Sequence, residues 1–101
     1  MIDPDELARF TAVPAPTGSE DARMRWLEER LNRGPGALAR DEAGNLLWRF
    51  GDASGPPQLL LMAHVDTVFA GVEEIEVARS GDELTGPGVG DNAAAVMAAI
   101  W

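Results

Sequence analysis

The most pronounced hydrophobic pattern in the chain is an unbroken apolar run at residues 59–63, which leads directly into the single histidine, His64. A run of this kind after Pro56 predicts a strand covered on both faces, as in a parallel sheet flanked by helices. Because side chains alternate along a strand, His64 and Asp66 should share one face while Val65 points into apolar packing. The pair would then lie at the carboxyl end of a buried strand, the edge where open α/β sheets bind ligands.

Two amphipathic segments precede this run. Asp3 followed by Pro4 is typical of a helix start, with a capping residue and then proline at the first helical position. Further on, Thr17 and Glu20 match a capping box, which predicts a second helix running to about Arg33. Each helix would offer one apolar face to a sheet.

The remaining pattern predicts short strands and turns. Residues 37–50 read as a hairpin whose turn is formed by residues 41–45. Residues 75–79 alternate between apolar and polar, which predicts a half-exposed strand, and residues 83–85 would form its return strand. The fold class predicted by the whole pattern is α/β.

The chain closes on nine consecutive apolar residues, 93–101, after Asp91 and Asn92. Their composition predicts a helix with Asp91 at or near its cap, and a helix that is apolar on every side is normally buried. It stops at Trp101 without a capping glycine or a basic last turn. We therefore expect the sequence to be cut inside a larger domain; the alternative is a small complete protein ending on a frayed helix.

Composition narrows the function classes. The 101 residues suit one small domain, and 46% of them are hydrophobic, enough to form a core. The net charge of −9 argues against nucleic acid and anionic membrane surfaces as partners. There is no cysteine, so a metal would have to be held by histidine and carboxylates. The acidic N-terminus has no signal-peptide pattern and no apolar run reaches membrane-spanning length, which makes the cytoplasm the expected location.

Three residues are candidates for chemistry: His64, Asp66 and Asp91. A histidine beside an aspartate is most often a structural pair. In metal sites, however, a carboxylate that does not itself bind the metal commonly orients the metal-bound imidazole by accepting its distal N–H. Asp91 alone would be a helix cap. The glycines within residues 86–90 allow a close approach of backbone to ligand, which is more than a cap requires.

Residues 88–93 (GVGDNA) also fit the dinucleotide fingerprint in its alanine form. Against this interpretation, the preceding strand is short and polar. Asp91 would also place a negative charge where a pyrophosphate must bind.

Residues 63–68 (AHVDTV) followed by residues 88–92 (GVGDN) resemble the zinc exopeptidase family of aminoacylase, peptidase T, glutamate carboxypeptidase and succinyl-diaminopimelate desuccinylase. Residues 14–20 (PAPTGSE) are similar to its opening element, so the resemblance covers nearly the whole chain. It implies that residues 1–101 are the N-terminal part of a three-layer helix–sheet–helix catalytic domain. The implied activity is zinc-dependent hydrolysis of amide bonds in peptides or N-acyl amino acids.

Carried over residue by residue, the resemblance implies that His64 binds one zinc ion, that Asp66 is the catalytic-site residue orienting His64, and that Asp91 bridges two zinc ions. The glutamate pair, the other ligands and a dimerisation domain able to form a homodimer would follow Trp101. Many family members carry a basic residue and glycine where this chain has alanines at 93–95, which leaves the substrate open. We expect the chain alone to bind zinc weakly and hydrolyse nothing. The alternative is a non-catalytic relic or interaction module that pairs through residues 93–101.

Overall fold

The computed structural model describes residues 2–51, 55–56, 59–71 and 74–100. Three α-helices, four β-strands and one π-helical turn make up its regular structure. They are α1 (Pro4–Thr11), α2 (Asp21–Leu31), β1 (Ala37–Arg40), β2 (Leu46–Arg49), β3 (Ala78–Ser80), β4 (Glu83–Thr85), the π-helical turn (Val89–Ala93) and α3 (Ala94–Ile100). The fold thus mixes helices and strands, consistent with the predicted α/β class.

Helix α1 begins as predicted. The Asp3 side chain accepts a hydrogen bond from the Asp5 amide at 2.9 Å, and Pro4 occupies the first turn. Phe10 and Thr11 at the end of the helix are buried, and the Thr11 hydroxyl donates to the Leu7 carbonyl at 2.7 Å. The first helix therefore presents its C-terminal end to the core.

The predicted capping box of α2 is wrong. Helix α2 begins at Asp21 and has no side-chain cap. The Glu20 carboxylate accepts from the Gly18 amide at 2.6 Å, while the Thr17 hydroxyl donates to Asp66, 49 residues away. A long-range bond thus takes the place of the local cap. The helix also ends at Leu31, before the predicted Arg33.

Both predicted hairpins are present as separate two-stranded antiparallel sheets. In the first, Ala37 pairs with Arg49 and Arg40 with Leu46. In the second, β3 starts at Ala78, three residues later than the predicted strand at residues 75–79, and pairs with β4. The described residues contain no larger sheet.

The predicted buried strand around residues 59–66 is the main correction. None of these residues lies in a strand, and residues 59–62 have exposed fractions between 63% and 86%. Within the described ranges, the parallel pairing nearby is a single bridge between Pro16 and Thr67. An apolar run is buried as a strand only when neighbouring strands hydrogen-bond to it and cover it, and neither two-stranded sheet does so here.

The core forms where α1, α2 and α3 meet. Its buried members are Phe10, Leu27, Ala93, Val96 and Met97. The Phe10 and Trp26 rings lie 5.1 Å apart with a tilt of 52°, a favourable arrangement for an aromatic pair. This core fixes the π-helical turn and the start of α3.

Helix α3 is only half-buried, contrary to the prediction that it is enclosed on all sides. Val96 and Met97 face the core, but Ala95 and Ala98 are exposed. Trp101, predicted as the last residue of this helix, lies outside the described residues. In the part of the chain that the structure describes, no helix combines the length and apolar character required to cross a bilayer.

Candidate metal centre

The two segments that carry His64 and Asp91 meet in space. The Nε2 atom of His64 lies 3.0 Å from Oδ1 of Asp91, although the residues are 27 positions apart. The neighbouring Asn92 strengthens this contact, since its side-chain amide donates to the His64 carbonyl at 3.4 Å. Two of the three predicted site residues are therefore direct neighbours.

The Asp91 loop requires glycine to reach this position. Gly88 has φ +78°, and a Cβ atom there would lie 3.1 Å from Cγ2 of Thr67. Only glycine combines this backbone conformation with so close an approach. Asp91 follows at a kink within the π-helical turn, where its own φ of −120° and ψ of 87° are not helical. Its peptide bond to Asn92 is in the cis form.

Asp66 lies against the other side of the His64 ring. The Nδ1 atom of His64 is 3.1 Å from the Asp66 carbonyl and 3.3 Å from its Oδ1. The predicted juxtaposition of these two side chains is present, although no strand produces it. The segment has no regular secondary structure at these residues, and it places the Asp66 carbonyl and Oδ1 near Nδ1.

Both ring nitrogens of His64 thus face acceptor oxygens. A neutral imidazole carries only one N–H, so it can donate to one side at a time. The other contact needs a positive centre between the atoms, either a second ring proton or a metal ion. The arrangement of acceptors around His64 is therefore one that favours a cation.

The ionisation of these groups reflects the same geometry. Desolvation lowers the pKa of His64, but the hydrogen bond and charge of Asp91, together with Asp66, outweigh it and raise that pKa above its ordinary value. The pKa of Asp66 is lowered, chiefly because the Thr17 hydroxyl donates to its carboxylate. The exposed fractions of the side chains are 51% for His64, 34% for Asp66 and 91% for Asp91, so the site is open to solvent.

A buried arginine on α2 holds the His64 segment in place. Arg23 is 1% exposed and donates from Nη1 to the Val65 carbonyl at 2.9 Å. It also donates from Nε to Val13 at 2.6 Å and from Nη2 to Thr11 at 3.0 Å. Burial lowers the pKa of Arg23. Since Val65 lies between His64 and Asp66, this one side chain ties the site to α1 and α2.

Sequence reasoning missed three supporting residues: Arg23, Thr17 and Asn92. Arg23 occupies a position on α2 that is buried beside Met24, where a basic residue gives no sign of burial. The pattern around Thr17 predicts a helix cap instead, and Asn92 has no sequence signal of its own. All three act through contacts distant in sequence, which a local pattern does not reveal.

His64 and Asp91 fit part of a metal centre. Two ligands of a tetrahedral zinc ion, each about 2.0–2.2 Å from the metal, lie about 3.4 Å apart. The observed 3.0 Å between Nε2 and Oδ1 needs to open by only a few tenths of an ångström to reach that spacing. Across the described ranges, no group of three or more potential ligands is assembled to hold a metal ion. The pair therefore supplies two donors of a set that needs at least three protein ligands at a catalytic zinc.

A small cleft adjoins the pair. It measures about 170 Å³ and is bounded by the His64–Asp66 segment, Thr67, Phe69 and the glycine loop at residues 86–90. The buried hydroxyl of Thr67 has no hydrogen-bond partner among the described residues. The cleft has room for a small polar group beside His64 and Asp91.

The comparisons with known proteins assign no function to this chain, so the geometry of the site is the basis for proposing one. No protein-family model matches this chain, and no solved structure matches it.

Proposed function

We propose that this chain is part of a zinc-dependent amide hydrolase acting on peptides or N-acyl amino acids. It would form the N-terminal part of a three-layer helix–sheet–helix catalytic domain. The observation that supports the proposal is the placement of His64 between Asp66 and Asp91, with 3.0 Å from Nε2 to Oδ1 of Asp91. This arrangement combines a neutral nitrogen ligand, a carboxylate ligand and a carboxylate that orients the ring, as in many zinc sites.

Each of the three residues has a separate role in this proposal. His64 would offer the Nε2 lone pair, and Asp66 would accept the proton on Nδ1 and so keep the ring in the required tautomer and orientation. Asp91 directs Oδ1 towards His64, which leaves Oδ2 to reach a second ion. Bound zinc would supply a water of lowered pKa and polarise the amide carbonyl. A general base is not assigned to this chain.

Metal titration of the purified chain tests the proposal. We expect Zn²⁺ or Co²⁺ to bind at His64 and Asp91. His64→Ala and Asp91→Asn should each weaken that binding by about tenfold or more. The matched control is Asp82→Asn, which removes an exposed carboxylate in the turn between β3 and β4. Isothermal titration calorimetry gives the affinities, and the visible absorption of Co²⁺ reports nitrogen ligation. Equal affinities in the wild type and His64→Ala would exclude the proposed centre.

Zinc affinity should also depend on pH in a defined direction. The metal needs the unprotonated Nε2 of His64, and the Asp91 carboxylate raises the pKa of that ring. Affinity should therefore fall as the pH drops through this raised pKa. The hydrolysis of peptides by the chain alone should be absent, because two protein ligands do not complete a catalytic zinc site.

A second candidate, a non-catalytic interaction module, is favoured by a different observation. Residues 59–62 expose four consecutive apolar side chains, and large exposed apolar patches commonly mark interfaces. The contact surface that the sequence predicts, residues 93–101, is less suitable because Val96 and Met97 are buried in the core. Light scattering after size exclusion would distinguish the candidates: a module of this kind forms concentration-dependent oligomers without metal, whereas the hydrolase proposal requires metal binding.

The dinucleotide interpretation gains no support from the geometry. Strand β4, which precedes the glycine loop, has three residues and is largely exposed, while the fingerprint follows a buried strand. Asp91 in this loop faces His64 rather than leaving room for an anion. A nicotinamide cofactor titration without response is the expected result.

A further inference from the structure

We propose that Thr17 is a positioning residue of the candidate metal centre. Its hydroxyl holds the Asp66 carboxylate in the orientation in which Oδ1 faces Nδ1 of His64, which favours a proton on Nδ1 and leaves the Nε2 lone pair for a metal ion beside Asp91. The role in metal binding rests on the proposed function, whereas the effect on the His64 ring does not require a metal.

The contact that carries this role is short and charge-assisted. The Thr17 Oγ1 atom lies 2.5 Å from Asp66 Oδ2, at the short end of the range for a hydroxyl donating to a carboxylate. The alternative acceptor for the same hydroxyl, the Thr67 carbonyl, is 3.5 Å away. A hydroxyl has one proton to donate, so the carboxylate receives it.

Thr17 is itself held by backbone bonds to the same segment. Its amide donates to the Thr67 carbonyl at 3.1 Å, and the Thr67 amide donates to Ala15 at 2.7 Å. Together with the Pro16–Thr67 bridge, these bonds dock the loop before α2 alongside the segment carrying His64. The hydroxyl therefore approaches Asp66 from a fixed position.

The two carboxylate oxygens of Asp66 contact different side chains. Oδ2 accepts from Thr17, and Oδ1 faces Nδ1 of His64 at 3.3 Å, beside the Asp66 backbone carbonyl, which lies 3.1 Å from the same nitrogen. Removing the hydroxyl frees the carboxylate to rotate about its terminal torsion, which has a broad energy profile. The Nδ1–H tautomer then keeps the Asp66 backbone carbonyl as an acceptor but loses the neighbouring carboxylate oxygen.

The test uses the fact that His64 is the only histidine of the chain. Its two ring nitrogens give unambiguous ¹⁵N NMR signals that report the tautomer of the neutral ring without any metal. We expect the wild type and Thr17→Ser, which retains the hydroxyl, to show the same ratio of Nδ1–H to Nε2–H, because Asp91 competes for the ring proton equally in both. In Thr17→Val, which keeps the shape but removes the hydroxyl, the ratio of Nδ1–H to Nε2–H should fall on the order of fivefold, the effect of one modest hydrogen bond.

Thr17→Ala provides a second variant without the hydroxyl and without the bulk of valine. Thr17 is exposed, so we expect amide NMR spectra of all three variants to retain the folded pattern. A fall in the Nδ1–H ratio in both Thr17→Val and Thr17→Ala, with recovery in Thr17→Ser, supports the proposal. The same ratio in all four proteins, or a serine variant that behaves like valine, would overturn it.

Zinc titration of the same variants separates this inference from the proposed function. Thr17→Val should bind zinc about three- to tenfold more weakly than the wild type. This loss is smaller than the roughly 10- to 100-fold typical when the removed group hydrogen-bonds directly to a metal-binding side chain. If the wild type binds no zinc but the tautomer shifts in Thr17→Val, the proposed function fails and the positioning role stands. If the wild type binds zinc and Thr17→Val changes neither tautomer nor affinity, the positioning role fails alone.

Discussion

Replacing Arg23 with methionine should destabilise the whole fold. Methionine fills a similar volume without donors, so the substitution removes three hydrogen bonds, to the carbonyls of Thr11, Val13 and Val65. It also removes a guanidinium that lies 4.9 Å from the centre of the Phe10 ring. The carbonyls that remain are partly or fully buried and have no replacement donor on the methionine side chain.

The size of the effect follows from two opposing contributions. A hydrogen bond to a charged group contributes about 1.5–3 kcal/mol, so three give about 4.5–9 kcal/mol before any cost is subtracted. Burial of the guanidinium costs several kcal/mol in lost hydration. We expect a net loss of about 3 kcal/mol in the free energy of unfolding, a large fraction of the about 5–15 kcal/mol typical of a small domain. The midpoint of thermal unfolding should fall by roughly 12–24 °C.

Urea unfolding followed by far-ultraviolet circular dichroism measures this loss. The matched control is Arg25→Met on the same helix, because Arg25 is exposed and its replacement should change stability by no more than about 0.5 kcal/mol. A loss below about 1 kcal/mol for Arg23→Met would refute the reasoning, since it would mean that hydration of the freed carbonyls replaces the three bonds. If both variants lost the same free energy of unfolding, the cause would be the change in helix charge rather than the three hydrogen bonds.

Two further predictions concern the first hairpin. Gly36→Ala places a Cβ atom 2.5 Å from the Trp48 ring nitrogen at a φ of +104°, so it should lower the free energy of unfolding by about 2–3 kcal/mol. Gly44→Ala has a similar φ of +86° but open space around the Cβ atom, so it should cost only about 1 kcal/mol. Equal urea midpoints for these two variants would contradict the steric argument. In the turn, hydrogen bonds led by the Asn45 side chain lower the pKa of Asp41. Because the folded-state pKa is depressed, this stabilisation is complete above the unfolded-state pKa of about 3.9 and is lost as the pH falls through the folded-state value. The stability difference between the wild type and Asn45→Ala should therefore shrink in acid, and a difference independent of pH would argue against the role of Asp41.

The features that the sequence predicts correctly depend on neighbouring residues. Asp3 caps α1 because its carboxylate reaches an amide two residues on, and the Asp41 turn closes a hairpin whose strands are adjacent in the chain. These interactions involve short loops, so few other conformations compete with them. The same reasoning fails at Thr17. In a local capping box its hydroxyl would accept from one backbone amide, whereas here it donates a charge-assisted hydrogen bond to the distant Asp66 carboxylate.

The segment at residues 59–66 shows the limit of apolar patterning. Consecutive apolar residues indicate that a strand would be buried if neighbouring strands covered it, but the pattern does not supply those neighbours. In the described structure the two hairpins pair internally, and the apolar side chains of residues 59–62 remain exposed. His64 still lies beside Asp66, with 3.3 Å between Nδ1 and Oδ1, although the segment has no regular secondary structure.

The candidate site consequently depends on individual side chains more than a site at a strand end would. A sheet holds a strand by a ladder of backbone bonds, so the loss of one side chain barely moves it. Here Arg23 holds Val65, Thr17 holds Asp66 and Asn92 holds the His64 carbonyl. Each contact fixes a different residue of the same short segment, and each would disturb the distance from His64 to Asp91 if it were removed. Side chains other than His64, Asp66 and Asp91 therefore contribute to the site geometry as directly as these three residues.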